Sequence, residues 1–223
     1  MKQKDPDVVQ ILKKIGAVIT NSHFVYTSGK HGSVYINKDA LYPHTAETSR
    51  VGHLFAKKFK NLNIDVVVAP AVGGTILSQW TAYHLSRLKH KEVLSAYTEK
   101  DKGTLASAAE SEHIFRRGYD KIVKGKNVLV IEDLTTTGIS VKKVVDATKK
   151  IGGKVVAVCV MVNRDPQHIN SKLVGAPFSA LGVIKAQAFD EANCPLCKNN
   201  IPINTDIGHG KQYVREKLLS QKK

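Results

Sequence analysis

The stretch Val128-Leu129-Val130-Ile131-Glu132-Asp133-Leu134-Thr135-Thr136-Thr137-Gly138-Ile139-Ser140 decides the fold. Its four consecutive apolar residues read as a strand buried on both faces, the habit of a parallel sheet covered by helices. The run ends in two adjacent carboxylates. Hydroxyl residues and a glycine follow, and then a helical period with Val141, Val144, Val145 and Thr148 inward. Paired carboxylates accept hydrogen bonds from vicinal hydroxyls. Backbone N–H groups and threonine hydroxyls where a helix opens suit a phosphate. Open α/β sheets bind their ligands at the carboxyl ends of such strands, and the spacing of the two features suits a ribose 5-phosphate. A strand-to-helix turn capped by threonine would explain the hydroxyls but not the carboxylates. No G-x-x-x-x-G-K-[ST] occurs, which excludes a Walker phosphate loop.

Working outward, similar apolar runs lie at Ile64–Ala69, Val93–Tyr97 and Val155–Val162, each followed by a turn. Between the first two, Gly74–Leu88 has the helical period with Ile76, Leu77, Trp80 and His84 or Leu88 inward. The expected core is therefore α/β, doubly wound around a mainly parallel sheet. Thr45 starts a further helix with Val51, Leu54, Phe55 and Phe59 on its apolar face. Nearer the N-terminus, Val8, Ile11, Leu12, Ile15 and Val18 predict a helix over 7–18 with Asp5 or Asp7 to cap it. Phe24–Thr27 and Ser33–Asn37 predict a hairpin or two linked strands. The whole is expected as a single domain over 1–223: a small hood at 1–44, the α/β core at 45–188, and a cysteine-bearing C-terminal appendage at 189–223. Residues 98–113 are polar and small and are expected to form a mobile functional loop.

The 223 residues are enough to bury roughly 70% of the unfolded surface. With 42% hydrophobic and 24% charged residues, the composition excludes disordered, collagenous and repeat classes. No apolar run approaches the roughly 20 residues of a membrane helix. The start Met1–Lys4 leads into Asp5-Pro6-Asp7 rather than an apolar signal segment. Three cysteines make a disulfide framework improbable, so a reducing, cytoplasmic location is expected and no membrane. Lys and Arg number 34 against 19 Asp and Glu, a net charge of +15 that attracts phosphorylated small molecules or polyanions. Much of that excess is lysine at surface spacing, read as a solvated basic face, and nucleic acid is not an expected partner.

The segment 128–140 resembles the phosphoribosyl-pyrophosphate signature of the type I phosphoribosyltransferases, and the resemblance extends over about residues 8–165. Phe24-Val25-Tyr26-Thr27-Ser28-Gly29-Lys30-His31-Gly32-Ser33-Val34-Tyr35-Ile36-Asn37 and Asn163-Arg164-Asp165 further resemble the orotate phosphoribosyltransferase branch. The resemblance implies that Glu132 and Asp133 bind the ribose hydroxyls, directly or through Mg2+. It implies that Thr135, Thr136, Thr137, Gly138 and Ser140 hold the 5-phosphate, and that Ala71, Val72, Gly73 and Gly74 form a pyrophosphate loop. Lys30, Tyr35 and Arg164 would bind the base. Lys100 and Lys102 would close over the pyrophosphate as catalytic cations, with His113 and Arg116 as further candidates. The reaction implied is transfer of the 5-phosphoribosyl group from phosphoribosyl pyrophosphate to orotate by a homodimer. Orotate enzymes usually carry lysines where this chain has Gly73 and Thr27. That keeps open transfer to a purine or other base, and a non-catalytic nucleotide-sensing, nucleic-acid-binding regulator on the same fold.

In the tail, Cys194-Pro195-Leu196-Cys197 is a C-x-x-C knuckle, and His209 follows it. Together they offer three ligands to Zn2+, with Asp206, Cys159 or a partner chain needed for a fourth. With the set incomplete, a reduced cysteine pair packed in the tail is the expected state.

Overall fold

The computed structural model describes residues 7–26, 28–101 and 111–220. Contacts divide the chain into two compact units, one running up to Ile11 and from Lys38 to Ile184, the other comprising Leu12–Asn37 and the chain from Lys185 onward.

The chain enters through helix α1 (Val8–Lys14), capped by Asp7, whose Oδ1 accepts the Gln10 N–H at 2.8 Å. Asp5, the other expected cap, lies outside the described residues. In the second unit, strands β1 (Val18–Ile19), β2 (Phe24–Val25), β3 (His31–Gly32) and β4 (Tyr35–Ile36) form two small antiparallel pairs. β2 pairs with β3 and β1 with β4, so of the two expectations for Phe24–Thr27 and Ser33–Asn37 the runs are linked strands rather than one hairpin. The cause is a tight turn: the Tyr26 N–H donates to Lys30 O and the Gly29 N–H to Tyr26 O, which brings His31-Gly32 back first.

The first unit holds the sheet. Helix α2 (Thr45–Phe59) buries Val51, Phe55 and Phe59 and half-buries Leu54. Then come strand β5 (Val66–Pro70), helix α3 (Gly73–Lys89), β6 (Leu94–Lys100), β7 (His113–Ile114), helix α4 (Tyr119–Val123), β8 (Asn127–Thr135), helix α5 (Ile139–Lys150), β9 (Lys154–Asn163), helix α6 (Ser171–Val174) and β10 (Phe178–Val183). The order across the sheet is β10-β9-β8-β5-β6-β7, parallel throughout except for β7. Val66, Val67, Val68 and Val128 through Ile131 are wholly buried, as strands covered on both faces must be. α5 turns Val141, Val144, Val145 and Thr148 inward as the periodicity predicts.

α3 departs from expectation. Its buried face is Leu77, Ser78, Thr81, Ala82 and Leu85, while Trp80 and His84 are half-buried and Leu88 is exposed. α2 packs closely on α3 at Trp80, where a Cβ on Gly52 would stand 2.6 Å from the Trp80 Cβ. Ser78 is satisfied by the Thr75 carbonyl and the Ser95 hydroxyl, each at 2.9 Å, so its burial costs little. Among the described residues no helix is long and apolar enough to cross a membrane.

The tail of the second unit carries helix α7 (Pro195–Lys198) and helix α8 (Gly210–Ser220).

Candidate active site

β5 and β8 lie side by side, and the helices that follow them lead away in opposite directions, α3 to β6 and α5 to β9. That is the topological switch point, where an open sheet leaves a crevice beyond its strand ends. The glycine-bearing loop after β5 and the hydroxyl-rich loop after β8 meet there. A Cβ on Gly73 would stand 2.3 Å from both Asp133 Oδ2 and the Tyr42 hydroxyl, a gap only glycine can leave.

Strand alternation gives the two carboxylates different neighbours. Asp133, 2% exposed, accepts from Lys38 Nζ and from the Tyr42 hydroxyl, both at 2.8 Å on Oδ2, and from the Leu134 N–H on Oδ1 at 2.6 Å. Burial acts to lower the Lys38 pKa, but the Asp133 carboxylate more than offsets it, so the ammonium is held above its usual range. Burial, and then the Asp133 charge, push the Tyr42 hydroxyl up, which keeps it a neutral donor. Glu132, 6% exposed, accepts from the Ser140 hydroxyl at 3.1 Å and from the Asp133 N–H at 3.2 Å. Burial first, and the adjacent Asp133 charge second, raise its carboxyl well above the usual carboxylate range. The pair thus comprises one carboxylate neutralised by an ammonium and one reluctant to ionise until a cation or a hydrogen-bond donor arrives.

Thr136 and Thr137 stand exposed at the mouth of α5. Thr135 is buried and turned to structure: its hydroxyl accepts the Gly138 N–H at 3.0 Å and closes the loop. Gly138 has φ +76°, left-handed backbone that favours glycine, and a Cβ there would press Leu173 Cδ2 at 2.9 Å. After β5, Ala71 and Val72 are exposed, joined by a cis peptide, and the Ala71 N–H donates to Thr98 O at 2.8 Å. Gly74 is a packing position against Ala69 and Pro70.

Residues 37–172 match the phosphoribosyl transferase domain family. The chain is 34% identical over 197 residues to the orotate phosphoribosyltransferase of a Thermoanaerobacter species, covering 88% of this chain and 94% of that one. It is also 34% identical over 195 residues to the enzyme of the same name from Thermotoga maritima, covering 87% and 94%. The chain belongs to the type I phosphoribosyltransferase family, and is most like its orotate branch. The fold agrees. The crystal structure of orotate phosphoribosyltransferase from Aeropyrum pernix superposes with a TM-score of 0.62 at 23% identity over 79% of this chain and 93% of that one. That of Mycobacterium tuberculosis, solved with phosphoribosyl pyrophosphate, gives 0.56 at 19% identity over 80% and 96%.

Within this phosphoribosyltransferase, Arg164 follows the last residue of β9 and its N–H donates to Thr135 O at 3.0 Å, at the same sheet end as the signature. Tyr35 and Lys30 belong to the second unit, where Tyr35 packs on Phe24 with ring centroids 5.3 Å apart and Lys30 pairs with Asp190 at 3.3 Å. Thr27 and Lys102 lie outside the described residues. Of the loop expected over 98–113, residues 102–110 lie outside the described residues. Thr98 to Lys100 continue β6, and His113 pairs with Lys100 across an antiparallel ladder. Thr98 and His113 are buried with Oγ1 and Nδ1 2.9 Å apart. Lys100 is exposed at the edge. Arg116 is engaged with Asp101 at 3.2 Å and Glu99 at 3.7 Å.

Lys38 and Tyr42 are site residues that the sequence did not announce. The one local signal is that Lys38 follows the Tyr35-Ile36-Asn37 run, and nothing ties it to Asp133, 95 positions on.

Burial, followed by the charges of Lys100 and Lys143, pushes the His113 pKa down to about 4. The unfolded chain therefore binds a proton that the folded one refuses between about pH 6.5 and pH 4. Stability should fall as pH drops through that window, by up to about 1.4 kcal/mol per pH unit from this group. Urea titrations should find a shallower decline in His113→Gln, and equal slopes would contradict the assignment.

Proposed function

We propose that this chain transfers the 5-phosphoribosyl group from phosphoribosyl pyrophosphate to orotate, releasing pyrophosphate and forming orotidine 5′-phosphate for pyrimidine nucleotide synthesis. The observation that carries the reading is the Glu132-Asp133 pair at the switch point, with the α5 phosphate loop on one side and the Gly73 loop on the other. In the reaction, an electron pair from the base nitrogen forms the bond to ribose C1 as the bond from C1 to the pyrophosphate oxygen breaks, and the proton that nitrogen carried is lost to the departing pyrophosphate or to water. Positive charge grows on the sugar and negative charge on the leaving group. The Asp133 carboxylate beside the sugar, and positive charge brought to the leaving group, lower that barrier.

In this reading the exposed Thr136 and Thr137, with the opening of α5, take the 5-phosphate. Asp133 and Glu132 receive the ribose hydroxyls, and Lys38 and Tyr42 hold Asp133 in position for them. Ala71, Val72 and Gly73 present backbone to the pyrophosphate. Buried carboxylates backed by the Ser140 hydroxyl are hard oxygen donors of the kind Mg2+ selects. Glu132 and Asp133 would hold it together with substrate oxygens, and it would supply charge neutralisation for the pyrophosphate. A homodimer and a cytoplasmic location belong to the same proposal.

Lys100 and Lys102 are proposed as the cations that meet the pyrophosphate. Lys100→Ala should then lower turnover much more than donor binding, because the contact strengthens as the leaving group gains charge. Steady-state kinetics with both substrates varied decide this, and unchanged turnover would remove Lys100 from the mechanism.

Arg164 is proposed to select the base. A guanidinium paired with the orotate carboxylate contributes roughly 1.5–3 kcal/mol. Arg164→Ala should therefore raise the KM for orotate about 10- to 100-fold while leaving that for the donor nearly unchanged. Equal effects on both substrates would make Arg164 structural.

A further inference from the structure

The second unit brings together four side chains that the transferase chemistry does not use. His23 and His31 come from the β2–β3 hairpin region, and Cys194 and Cys197 from the tail knuckle. One ligand atom from each lies within 4.8 Å of all the others. His23 Nε2 is 2.8 Å from His31 Nδ1, 3.8 Å from Cys194 Sγ and 3.7 Å from Cys197 Sγ. Cys197 Sγ is 3.3 Å from His31 Nδ1. The two histidines and Cys194 are buried, and Cys197 is half-buried.

We propose that His23, His31, Cys194 and Cys197 form a structural zinc site that joins the two sequence-distant parts of the second unit. Zn–S bonds near 2.3 Å and Zn–N bonds near 2.0–2.1 Å put the edges of a tetrahedron at about 3.3–3.8 Å. Three of these four distances fall in that range, the imidazoles must part by about 0.5 Å, and all six edges lie within 4.8 Å. Two thiolates with two imidazoles suit Zn2+ and exclude Mg2+ and Ca2+, which take oxygen. A two-iron cluster would hold its cysteine pair and its histidine pair on separate metal atoms, whereas here a thiol and an imidazole nearly touch.

The surroundings orient the ligands. His23 Nδ1 stands 2.8 Å from Ile201 O, so that nitrogen carries the proton and Nε2 turns its lone pair to the cluster. Ile201 is itself fixed to the knuckle, its N–H donating to Leu196 O at 2.9 Å. His31 is fixed from the backbone, exchanging 2.8 Å hydrogen bonds with Phe189 in both directions. Pro195 opens α7 between the two cysteines, and the Lys198 N–H donates to Cys194 O, which curls the knuckle around its thiols.

This set corrects the one expected from sequence. His209 is exposed, its N–H donates to Val25 O, and it is not a member of the group; Asp206 is exposed as well. Cys159 is buried in β9 of the other unit. The ligands come from segments about 170 positions apart, so no spacing rule could pair them. Two-residue strands give this unit little core of its own, and an ion that closes so long a loop compensates for that.

The test uses the full chain expressed in zinc-supplemented medium, with metal content measured by mass spectrometry of the digested protein. We expect one zinc per chain in the wild type and in His209→Ala, and its loss in Cys194→Ser and in His31→Ala. A strong chelator should lower the apparent Tm by about 10 °C or more, and added Zn2+ should restore it. Because a ligand variant that fails to fold would also lose zinc, the wild-type chain is also exchanged with Co2+. Tetrahedral two-thiolate coordination gives intense visible d–d bands and a near-ultraviolet sulfur-to-metal band. Zinc-free wild type with no such bands and no chelator effect would overturn the site, as would zinc that is lost with His209.

Discussion

Asp133→Asn combined with Glu132→Gln is expected to reduce nucleotide formation by about 10³-fold or more while the fold survives. Both side chains are nearly inaccessible yet are not needed to fill the core, since the amides are nearly isosteric. Asp133→Asn removes the charge that Lys38 and the Tyr42 hydroxyl converge on at 2.8 Å, and so leaves the ammonium facing the ribose position unbalanced. Glu132→Gln removes the other anionic acceptor and keeps a carbonyl oxygen for the Ser140 hydroxyl. The same change should stabilise the free protein. The Glu132 carboxyl is raised by burial, so the folded state keeps a proton that the unfolded state gives up. That group's stability contribution is therefore full below the unfolded pKa and is lost as pH rises through the folded one. Glu132→Gln should lack this loss, and its advantage in Tm should grow above about pH 4.5. Pyrophosphate release in a single turnover, with circular dichroism and a melting curve, measures all three outcomes. Near-normal turnover in the double variant would refute the assignment.

Gly73→Ala should cost about 100-fold in kcat/KM for the donor without unfolding the chain. One added carbon would meet Asp133 Oδ2 and the Tyr42 hydroxyl at 2.3 Å each, closer than real contacts allow. The Asp133 carboxylate or the loop after β5 must then move, and a displacement of about 1 Å at a positioning group is worth about that factor. Gly74→Ala is the informative comparison. Its added carbon presses Ala69 and Pro70 rather than the carboxylate, so it should lower Tm more and turnover less. If both variants lose activity in parallel with stability, Gly73 is a packing residue as well.

What the sequence disclosed follows from how local each signal is. The strand carrying Glu132-Asp133, the loop after it and the inward face of α5 are all written within about 20 neighbouring residues, where periodicity and turn chemistry act directly. α3 was legible as a helix with Leu77 inward, but the rest of its inward face was not. Hydrophobicity pointed to Ile76, Trp80 and His84 or Leu88, whereas Ser78, Thr81 and Ala82 are buried beside Leu77 and Leu85. β10 escaped notice because Phe178–Val183 is an edge strand, only half-buried, with a glycine and a serine in its run. Lys38 and Tyr42 at the site, and His23 and His31 beside the cysteines, depend on pairings across more than 90 positions. Such contacts exist only once the fold has formed.

The central claim, transfer of phosphoribose to orotate, is tested most directly by mixing the purified protein with phosphoribosyl pyrophosphate, Mg2+ and each of orotate, uracil, adenine, guanine and hypoxanthine in turn, and identifying the product by mass. The account predicts orotidine 5′-phosphate and pyrophosphate in equal amounts from orotate, with no nucleotide from the other four. A purine nucleotide formed in preference, or no nucleotide from any base by a protein that still binds the donor, would contradict it.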